Sequence, residues 1–340
     1  MAKKKISIKD IAEALGISIT TVSFILNGKA REKRISDELT SKVQDYIKEI
    51  GYKPSHIAQS LRLGKSKIIV LMVEDISNQF FASIARMIEE KAHKNGYKII
   101  YCSTDNDTEK TKELIATFKM RNVDGFIITP TPGLEHIVRE LLEEDFAVVL
   151  FDRWMPELDC NYVVVENRAS AKEATKHLID QGCRNLGFVT VDSDQTQMID
   201  RLEGFREAIK GSEVDSIIFK VKFHTISEQD ASQKILEFFT AHPELDGVFF
   251  STNYLAFEGL QALVKLGKKI PDQIKVLSFD DHYFFNLFQP PVTAIEQPIE
   301  EIAESLMDTI LKKLEGGKEI ANNKIVLPNK FNVRESSVSN

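Results

Sequence analysis

The first fifty residues carry a helical pattern of apolar and polar positions. In SIKDIAEAL, residues 7–15, apolar side chains recur at intervals of three and four, which predicts one face of a helix. Ser7 and Asp10 have the spacing of a capping pair, and Gly16 is suited to the helix end. A second helical pattern begins at Ser18, so two helices joined by a short glycine turn are predicted.

A third helix is predicted from about Ser36 to Ile50, before Gly51. Two helices with a glycine turn, braced by a third, form a helix-turn-helix, whose second helix can enter the major groove of DNA. The alternative is a helical hairpin that only packs on a larger domain. If Val22 and Leu26 face inward, several side chains of the second helix lie on or near its outward face. These are Ile19, Thr20, Ser23 and Phe24.

From residue 68 onward, short apolar runs alternate with amphipathic stretches. Runs that are buried on both faces and linked by helices are typical of parallel β-sheets. The alternation restarts near residue 185, so two doubly wound lobes are predicted, with a ligand cleft where strand ends meet. The predicted strands are 68–73, 98–102, 125–129, 147–151, 185–190, 216–223, 247–251 and 275–279, and helices are predicted at 82–96 and 136–144.

The net charge of −7 is unevenly distributed. Residues 1–65 carry 13 Lys and Arg against 7 Asp and Glu, which leaves +6 on the head and −13 on the remainder. A basic head on an acidic body favours binding to a polyanion, although a solvated lysine-rich terminus has the same composition. The hydrophobic content of 43% suits a globular core, and no apolar run of about 18 residues predicts a membrane span.

Two further features bear on the compartment. MAKKKISIKD at the N-terminus has no apolar stretch behind its basic residues, so no secretory signal is predicted. Cys102, Cys160 and Cys183 are scattered and form no CxxC motif. A reducing cytoplasm is therefore expected.

The sequence lacks the motifs that carry cofactor, metal or hydrolase chemistry. No GxGxxG follows a strand, no GxSxG is present, and no two histidines are three or four residues apart. No cofactor, no metal site and no enzyme activity are therefore predicted. Asp280-Asp281 ends a predicted strand and could be a catalytic dyad, an acceptor of sugar hydroxyls or a solvated turn. Neighbours in an extended chain point in opposite directions, which favours ligand binding. Arg201, near a helix start, could clamp a polar ligand.

The sequence resembles the lactose/galactose repressor (LacI/GalR) family of bacterial transcription regulators along nearly its whole length. The matching stretches are SIKDIAEALGISITTVSFILNGK, GYKPSHIAQSL, DISNQFFASIARMIEEKAHKNGYKI, VLSFDDHYFFNLFQPPVTAIEQPI and LPNKFNVRESS. The resemblance implies an all-helical helix-turn-helix head and an α/β body of two lobes with parallel sheets, similar to periplasmic sugar-binding proteins. It implies a DNA-binding domain at 1–52, a hinge linker at 53–65 and a body at 66–336. Lobe 1 would cover about 66–165 and 294–325, and lobe 2 about 166–293 and 326–336.

The resemblance also implies a homodimer whose heads bind the two halves of a pseudo-palindromic double-stranded DNA operator. Phe24 stands where the family usually has a basic or imidazole side chain; it could contact a thymine methyl group or turn inward as core. Leu61 matches a leucine that inserts from the minor groove and kinks the duplex. The implied DNA-binding residues are Ser7, Ser18, Ile19, Thr20, Thr21, Ser23, Phe24, Asn27, Lys29, Arg31, Arg34, Ser55, Ala58 and Leu61.

The implied effector is a small molecule, a sugar or a sugar derivative, bound between the lobes. Thr252-Asn253 replaces the usual Asn-Asp pair of the family, which argues against a standard hexose. Phe80 and Phe81 could stack on a sugar ring or belong to the core. The implied effector-binding residues are Glu74, Asp75, Phe80, Phe81, Thr129, Asp152, Arg201, Thr252, Asn253 and Asp280.

Three classes of function are weighed. An effector-responsive regulator, a repressor or else an activator, agrees with both parts of the chain. A sugar-binding transport protein would share the body, but it would need an export signal and would have no helix-turn-helix. An enzyme on the same body has no catalytic constellation to support it. The chain stops soon after RESS, without the leucine-rich tail that makes some family members tetramers, so a dimer is expected.

Overall fold

The computed structural model describes residues 6–52, 65–222, 230–316 and 321–338. The chain divides into two compact units, which meet between Lys67 and Ile68. Ser55, Ala58 and Leu61, the linker residues expected to contact DNA, lie outside the described ranges.

The N-terminal unit has three described helices: α1 (Ile8–Leu15), α2 (Ile19–Leu26) and α3 (Asp37–Glu49). The predicted capping pair is present, because Asp10 N donates to Ser7 Oγ at 3.3 Å and Ser7 N donates to the Asp10 carboxylate at 2.7 Å. Gly16 ends α1 at a φ of 64°, which glycine adopts at little cost. The predicted helix-turn-helix is confirmed. Its core comprises Ile11, Ala12, Val22, Ile25, Ala30 and Val43.

The body consists of alternating strands and helices, as the apolar pattern predicts. In chain order these are β1 (Ile68–Val73), α4 (Gln79–Lys94), β2 (Lys98–Ser103), α5 (Thr108–Met120), β3 (Gly125–Ile128), α6 (Glu135–Glu143), β4 (Ala147–Phe151), β5 (Asn161–Val165), α7 (Asn167–Asp180), β6 (Asn185–Val191), α8 (Thr196–Ile209), β7 (Asp215–Val221), α9 (Asp230–Ala241), β8 (Gly247–Phe250), α10 (Asn253–Lys265), β9 (Lys275–Phe279), α11 (Tyr283–Leu287), β10 (Thr293–Glu296), α12 (Ile299–Gly316), β11 (Lys324–Leu327) and β12 (Lys330–Asn332).

Two six-stranded sheets organise these elements into two lobes. The first has the strand order β11-β5-β4-β3-β1-β2 and is parallel throughout. The second has the order β12-β10-β9-β8-β6-β7, and only its edge strand β12 runs antiparallel to its neighbour in the described pairings. The α/β class with parallel sheets is thus confirmed.

Helices cover both faces of each sheet. Along β1, Leu71 packs with α4 and α12 on one face, whereas Val70 and Met72 pack with α5 and α6 on the other. In the second lobe, Val189 of β6 packs with α9 and α10 on one face of the sheet. Phe188 of the same strand packs with α7 and α8 on the other face. The expectation that every strand is buried on both faces is wrong for β2 and β7, because each lies at a sheet edge and is partly exposed.

In the described ranges of the body the chain crosses between the lobes three times, and two crossings differ from their predicted positions. β10 pairs with β9, so residues 294–296 belong to the second sheet and not to lobe 1. Val326 and Leu327 pair with β5, so they stay in the first sheet and not in lobe 2. Hydrogen-bond pairing between distant segments decides both positions, and the apolar pattern does not contain that information.

β4 and β9 place equivalent side chains at the carboxyl ends of the two sheets. Both strands occupy the same place in their sheet order, and both end in a Phe-Asp pair. Asp152 and Asp280 follow with φ values of 67° and 66°, the left-handed region that aspartate tolerates better than most residues. The chain turns sharply there, and both carboxylates lie at the carboxyl ends of the strands, where α/β proteins bind ligands.

Candidate functional site

The second helix of the head presents a small exposed face. Ser18 Oγ accepts a hydrogen bond from Thr21 N at 3.0 Å, which caps the start of α2. Ile19, 46% exposed, and the exposed Thr20 follow in its first turn. Their outward position agrees with the sequence prediction. Polar and apolar groups of this size at the start of a second helix can contact base edges in the major groove.

Ser23 does not share this face, and the prediction that it lies outward is wrong. It is only 8% exposed, and Asn27 Nδ2 donates to its carbonyl oxygen at 2.6 Å. Ser23 lies beside Val22, and a helix of 3.6 residues per turn places both on the side of the core. Ser23 and Asn27 therefore stabilise the end of α2.

Phe24 lies at the border between this face and solvent. Its ring is half-buried, and Lys33 Nζ lies 5.6 Å from the ring centroid, within the range of a cation–π contact. In the described part of the head, Phe24 is not one of the side chains of the apolar core. Exposed basic side chains surround the helix end. These are Lys29, Arg31, Lys33 and Arg34.

On the first lobe, the cleft between the lobes contains a buried guanidinium held by carboxylates. Arg153 is 3% exposed and forms an ion pair with Glu74, which is 8% exposed. Arg153 Nε lies 3.3 Å from Asp152 Oδ2, and Arg153 Nη1 donates to Asn106 Oδ1 at 2.6 Å. The network joins the ends of β1, β2 and β4.

On the second lobe, Arg201 of α8 is also a buried guanidinium held by a carboxylate, and all three of its nitrogens donate hydrogen bonds. It is 1% exposed, and its two terminal nitrogens donate to the Asp280 carboxylate at 3.1 and 3.4 Å. Its Nε donates to Asn167 Oδ1 at 2.9 Å. The guanidinium also stacks on Phe279, 3.6 Å from the ring centroid. Gln297 Nε2 adds a 2.7 Å hydrogen bond to Asp280.

Among the described residues, three side-chain hydrogen bonds cross directly from one lobe to the other. Gln197 Nε2 donates to Asp152 Oδ2 at 3.3 Å, Gln195 Nε2 donates to Asn106 Oδ1 at 3.1 Å, and the Trp154 amide donates to Thr196 Oγ1 at 3.3 Å. The start of α8 thus contacts the first lobe. Burial raises the pKa of Asp152 to about 6, although Arg153 and Arg201 oppose that shift.

A narrow cavity of about 40 Å³ lies among these groups. It is well below the volume of about 300–1,000 Å³ that is typical of small-molecule sites. Of the residues predicted for the effector, seven besides Arg201 line it: Glu74, Phe80, Phe81, Asp152, Thr252, Asn253 and Asp280.

The structure does not bring Asp75 and Thr129 to this cavity. The Asp75 carboxylate instead accepts hydrogen bonds from Ser77 N and Oγ at 2.8 and 2.7 Å, which close the turn before α4. Thr129 is fully buried behind the strand ends. Sequence matching could not separate these residues from Glu74, since all three stand at strand ends.

Sequence reasoning also missed residues that line the cavity. Arg153 follows Asp152 directly, but its partner Glu74 is 79 positions away. Gln197 lies four residues before Arg201 on α8, so helical spacing could have indicated that both share a face. The residues missed are Asn78, Arg153, Gln197, Met198, Tyr254 and Gln297.

The Phe80 and Phe81 rings form one aromatic cluster with Phe151 at the end of β4. Centroid distances within it are 5.1 to 5.9 Å. Phe81 is 5% exposed and packs in the core of the first lobe, while Phe80 is half-buried at the cavity. Of the two, Phe80 is the ring that a ligand can reach more easily.

Comparison with known proteins gives the family. Residues 7–55 match the family profile described as bacterial regulatory proteins, lacI family, and residues 175–337 match that of the periplasmic binding protein-like domain. The chain is 34% identical over 331 residues to the ribose operon repressor of Halalkalibacterium halodurans, which covers 97% of each protein. It is 31% identical to the HTH-type transcriptional regulator DegA of Bacillus subtilis, over 98% of each.

The chain belongs to the lacI family of bacterial regulatory proteins. This confirms the resemblance inferred from the sequence, and with it the DNA-binding transcriptional regulator among the three classes of function. Sugar sensing and the repressor type, both expected from the sequence, agree with the ribose operon repressor among these relatives.

Solved structures agree with this lacI-family fold. A LacI family transcriptional regulator from Enterococcus faecium with bound ribose is 25% identical, with a TM-score of 0.71 over 80% of this chain and 98% of that one. The lac repressor dimer bound to operator and the anti-inducer ONPF has a TM-score of 0.84 over 99% of this chain and 100% of that one, at 18% identity. The second likeness concerns the fold alone.

Within the described ranges, no group of three or more His, Cys, Asp or Glu side chains is placed to hold a metal ion. None of the described helices has the length and apolar character needed to cross a bilayer.

Proposed function

We propose that this regulator is a repressor whose affinity for its operator is controlled by a sugar bound between the two lobes. The observation that carries the proposal is a cleft in which paired arginines and carboxylates from both lobes surround a cavity, on a chain that also has a helix-turn-helix. Hydrogen-bonding groups and one accessible ring suit a polyhydroxylated ligand. The named relatives and the ribose-bound neighbour support this ligand class.

The head would bind DNA through two kinds of contact. Ile19, Thr20 and Phe24 would contact base edges, with Phe24 against a thymine methyl group. The exposed Lys29, Arg31 and Arg34 would contact phosphates, which position the helix without selecting sequence. Ser7, Ser18, Thr21 and Asn27 would support the helix ends near the backbone, and Ser55, Ala58 and Leu61 would act from the linker.

In the cleft, the Arg201–Asp280 pair would bind sugar hydroxyls from the second lobe, and Asp152 from the first. Phe80 would stack on the apolar face of the ring. A ligand that contacts both lobes favours the closed arrangement over an open one by its differential affinity for the two. That preference is what would change operator affinity.

An exposed apolar face on the second lobe supports a homodimer. Val264 is 62% exposed, Phe284 49% and Leu287 70%. A contiguous apolar patch on one chain is typical of an interface, and a two-fold contact would cover it in both copies. The lac repressor that shares this fold is a dimer. The groove in this face is lined by Phe257, Leu260, Gln261, Val264, Lys265, Phe284, Phe285 and Phe288.

The experiment is an operator titration. A high-affinity operator is first selected from a random DNA library with the full chain, and its Kd is then measured by fluorescence anisotropy with and without neutral pentoses and hexoses. We expect one sugar to change the Kd by about tenfold or more. If DNA is bound but no sugar of the panel changes the Kd, the proposed control is contradicted.

Two head variants separate base contacts from phosphate contacts. Arg31→Ala should weaken binding to all sequences and reduce the slope of log K against log salt by about one unit. Phe24→Ala should leave that slope unchanged and weaken only the selected operator, by about 1 kcal/mol. Equal losses on the selected operator and on random DNA would contradict the role of Phe24.

A further inference from the structure

Five charged side chains line the cavity between the lobes within the described residues, and they do not balance. Glu74, Asp152 and Asp280 are carboxylates, whereas Arg153 and Arg201 are guanidiniums. With every group ionised, the cavity carries one negative charge in excess. Because all five lie at a buried site, solvent screens this charge less than it would at the surface.

Both guanidiniums are already held by carboxylates, although the buried Arg153 Nε makes no hydrogen bond within the described residues. Arg201 donates to Asp280 through both terminal nitrogens, and to the Ser251 carbonyl oxygen at 2.6 Å and Asn167 at 2.9 Å. Arg153 is held by the ion pair with Glu74, by Asn106 and by the Pro130 carbonyl oxygen at 3.3 Å. An anion could capture either cation only if a buried carboxylate gave up its partner, which is strongly unfavourable.

Asp152 is the carboxylate left in excess. Asp152 accepts a hydrogen bond from the neutral amide of Gln197, and its contact to Arg153 Nε, at 3.3 Å, is shared with the stronger Arg153–Glu74 pair. The raised pKa of Asp152, about 6, has the same origin, since burial outweighs both neighbouring arginines. Above that pH, Asp152 presents a negative charge to a ligand.

The remaining polar groups of the cavity are neutral. Gln197 is 3% exposed, and its Oε1 atom has no hydrogen-bond partner in the described part of the chain. Burial raises the pKa of the Tyr254 hydroxyl, which therefore stays protonated. An unpartnered buried acceptor beside a carboxylate requires a donor. Hydroxyl groups of a ligand supply donors, whereas phosphate and carboxylate oxygens supply acceptors only.

We infer that the cleft selects an uncharged polyhydroxylated ligand and rejects the phosphorylated or carboxylated derivatives of the same sugar. The inference rests on the proposed function, because it names the charge class of the effector at that site. A unit negative charge about 6 Å from the uncompensated carboxylate, at an effective dielectric constant of about 20, should weaken binding about 100-fold.

The test is calorimetric titration of the full chain at pH 7.5 with three probes: D-ribose, D-ribose 5-phosphate and D-ribonate. We expect ribose to bind about 100-fold more tightly than either anion. An anion that binds as tightly as ribose, or more tightly, overturns the inference but leaves a sugar-controlled regulator in place. If none of the three binds, and other neutral pentoses and hexoses do not bind either, both the inference and the proposed function are overturned.

A charge variant with a matched control excludes a purely steric explanation. Asp152→Asn removes the excess charge at nearly constant shape, so the preference for ribose over ribose 5-phosphate should fall by about tenfold or more. Asp272→Asn removes an exposed carboxylate before the start of β9, at the opposite end of that strand from Asp280, and should leave the preference unchanged. An equal preference in Asp152→Asn and the parent chain would show that shape discriminates, and would overturn the inference.

Discussion

The two lobes use the same strand end differently. After β4 and after β9, a phenylalanine is followed by an aspartate in the left-handed region, at φ values of 67° and 66°. Asp280 accepts two hydrogen bonds from a buried arginine of its own lobe and a third from Gln297. Asp152 receives a neutral hydrogen bond from the opposite lobe, from Gln197.

The comparison shows that backbone geometry alone does not determine what a site carboxylate does. The nearest fixed cation makes the difference. Arg201 makes Asp280 part of a rigid, neutral pair, whereas Arg153 is already held by Glu74 and leaves Asp152 under-compensated. The second lobe therefore has a carboxylate paired with an arginine of the same lobe, and the first has a carboxylate whose pKa is raised by burial.

The largest expected effect comes from breaking the Arg201–Asp280 pair of the second lobe. Arg201→Ala leaves Asp280 as a buried carboxylate without its cation and removes the stack on Phe279. We expect the free energy of unfolding of the body to fall by about 3–5 kcal/mol and sugar binding to be lost. Urea denaturation at pH 7.5 measures the first effect.

The matched control is the double variant Arg201→Ala with Asp280→Ala. If the pair acts as a unit, the double variant should be more stable than the sum of the two single losses predicts. Strictly additive losses would contradict the description of Arg201 and Asp280 as one neutral pair.

A pH-dependent effect is expected at the first lobe. The pKa of Asp152 rises from about 3.8 unfolded to about 6 folded, so ionised Asp152 costs stability, fully above pH 6 and hardly at all below pH 4. Asp152→Asn should therefore stabilise the body by up to about 3 kcal/mol at pH 7.5, and this gain should mostly disappear by pH 4.

Denaturation of both chains from pH 4 to 8 measures this difference. A gain that grows as the pH falls would have the wrong sign, and a gain independent of pH would mean that Asp152 is not the titrating group.

The smallest effect concerns the contact between the lobes. Gln195→Ala removes the 3.1 Å hydrogen bond to Asn106 and should weaken sugar binding by about fivefold, the equivalent of about 1 kcal/mol, because closure loses one bond. Gln233→Ala, on the exposed side of α9, is the control and should bind like the parent. A sugar affinity that is unchanged in Gln195→Ala would mean that this bond does not contribute to the bound state.

The sequence predicted the parts of the fold that depend on local pattern. Strands such as β1, β4 and β9 are apolar and central, and their bounds agree with the prediction. β5, β10, β11 and β12 were not predicted, and they are the two outermost strands at one end of each sheet. Their identity depends on pairing partners brought together by the lobe crossings.

In the site, too, residues with a local signal could be predicted and residues that depend on distant partners could not. Asp280 could be predicted from its place after a strand end of an α/β lobe, whereas Arg201, a weak signal near a helix start, could be predicted only through the family resemblance. Arg153 could not, because a charged residue after a strand is usually solvated and its partner Glu74 is distant in sequence. Ser23 was misplaced because its hydroxyl suggested DNA contact, although its helical position places it beside Val22.

The most direct test of the whole account is the reciprocity between sugar and operator. The sugar Kd of the full chain is measured by calorimetry with and without saturating operator, and the operator Kd with and without saturating sugar. Linked sites must change each other's affinity by the same factor. We predict one common factor of about ten or more. A sugar affinity that is the same with and without operator would contradict the claim that the cleft controls DNA binding.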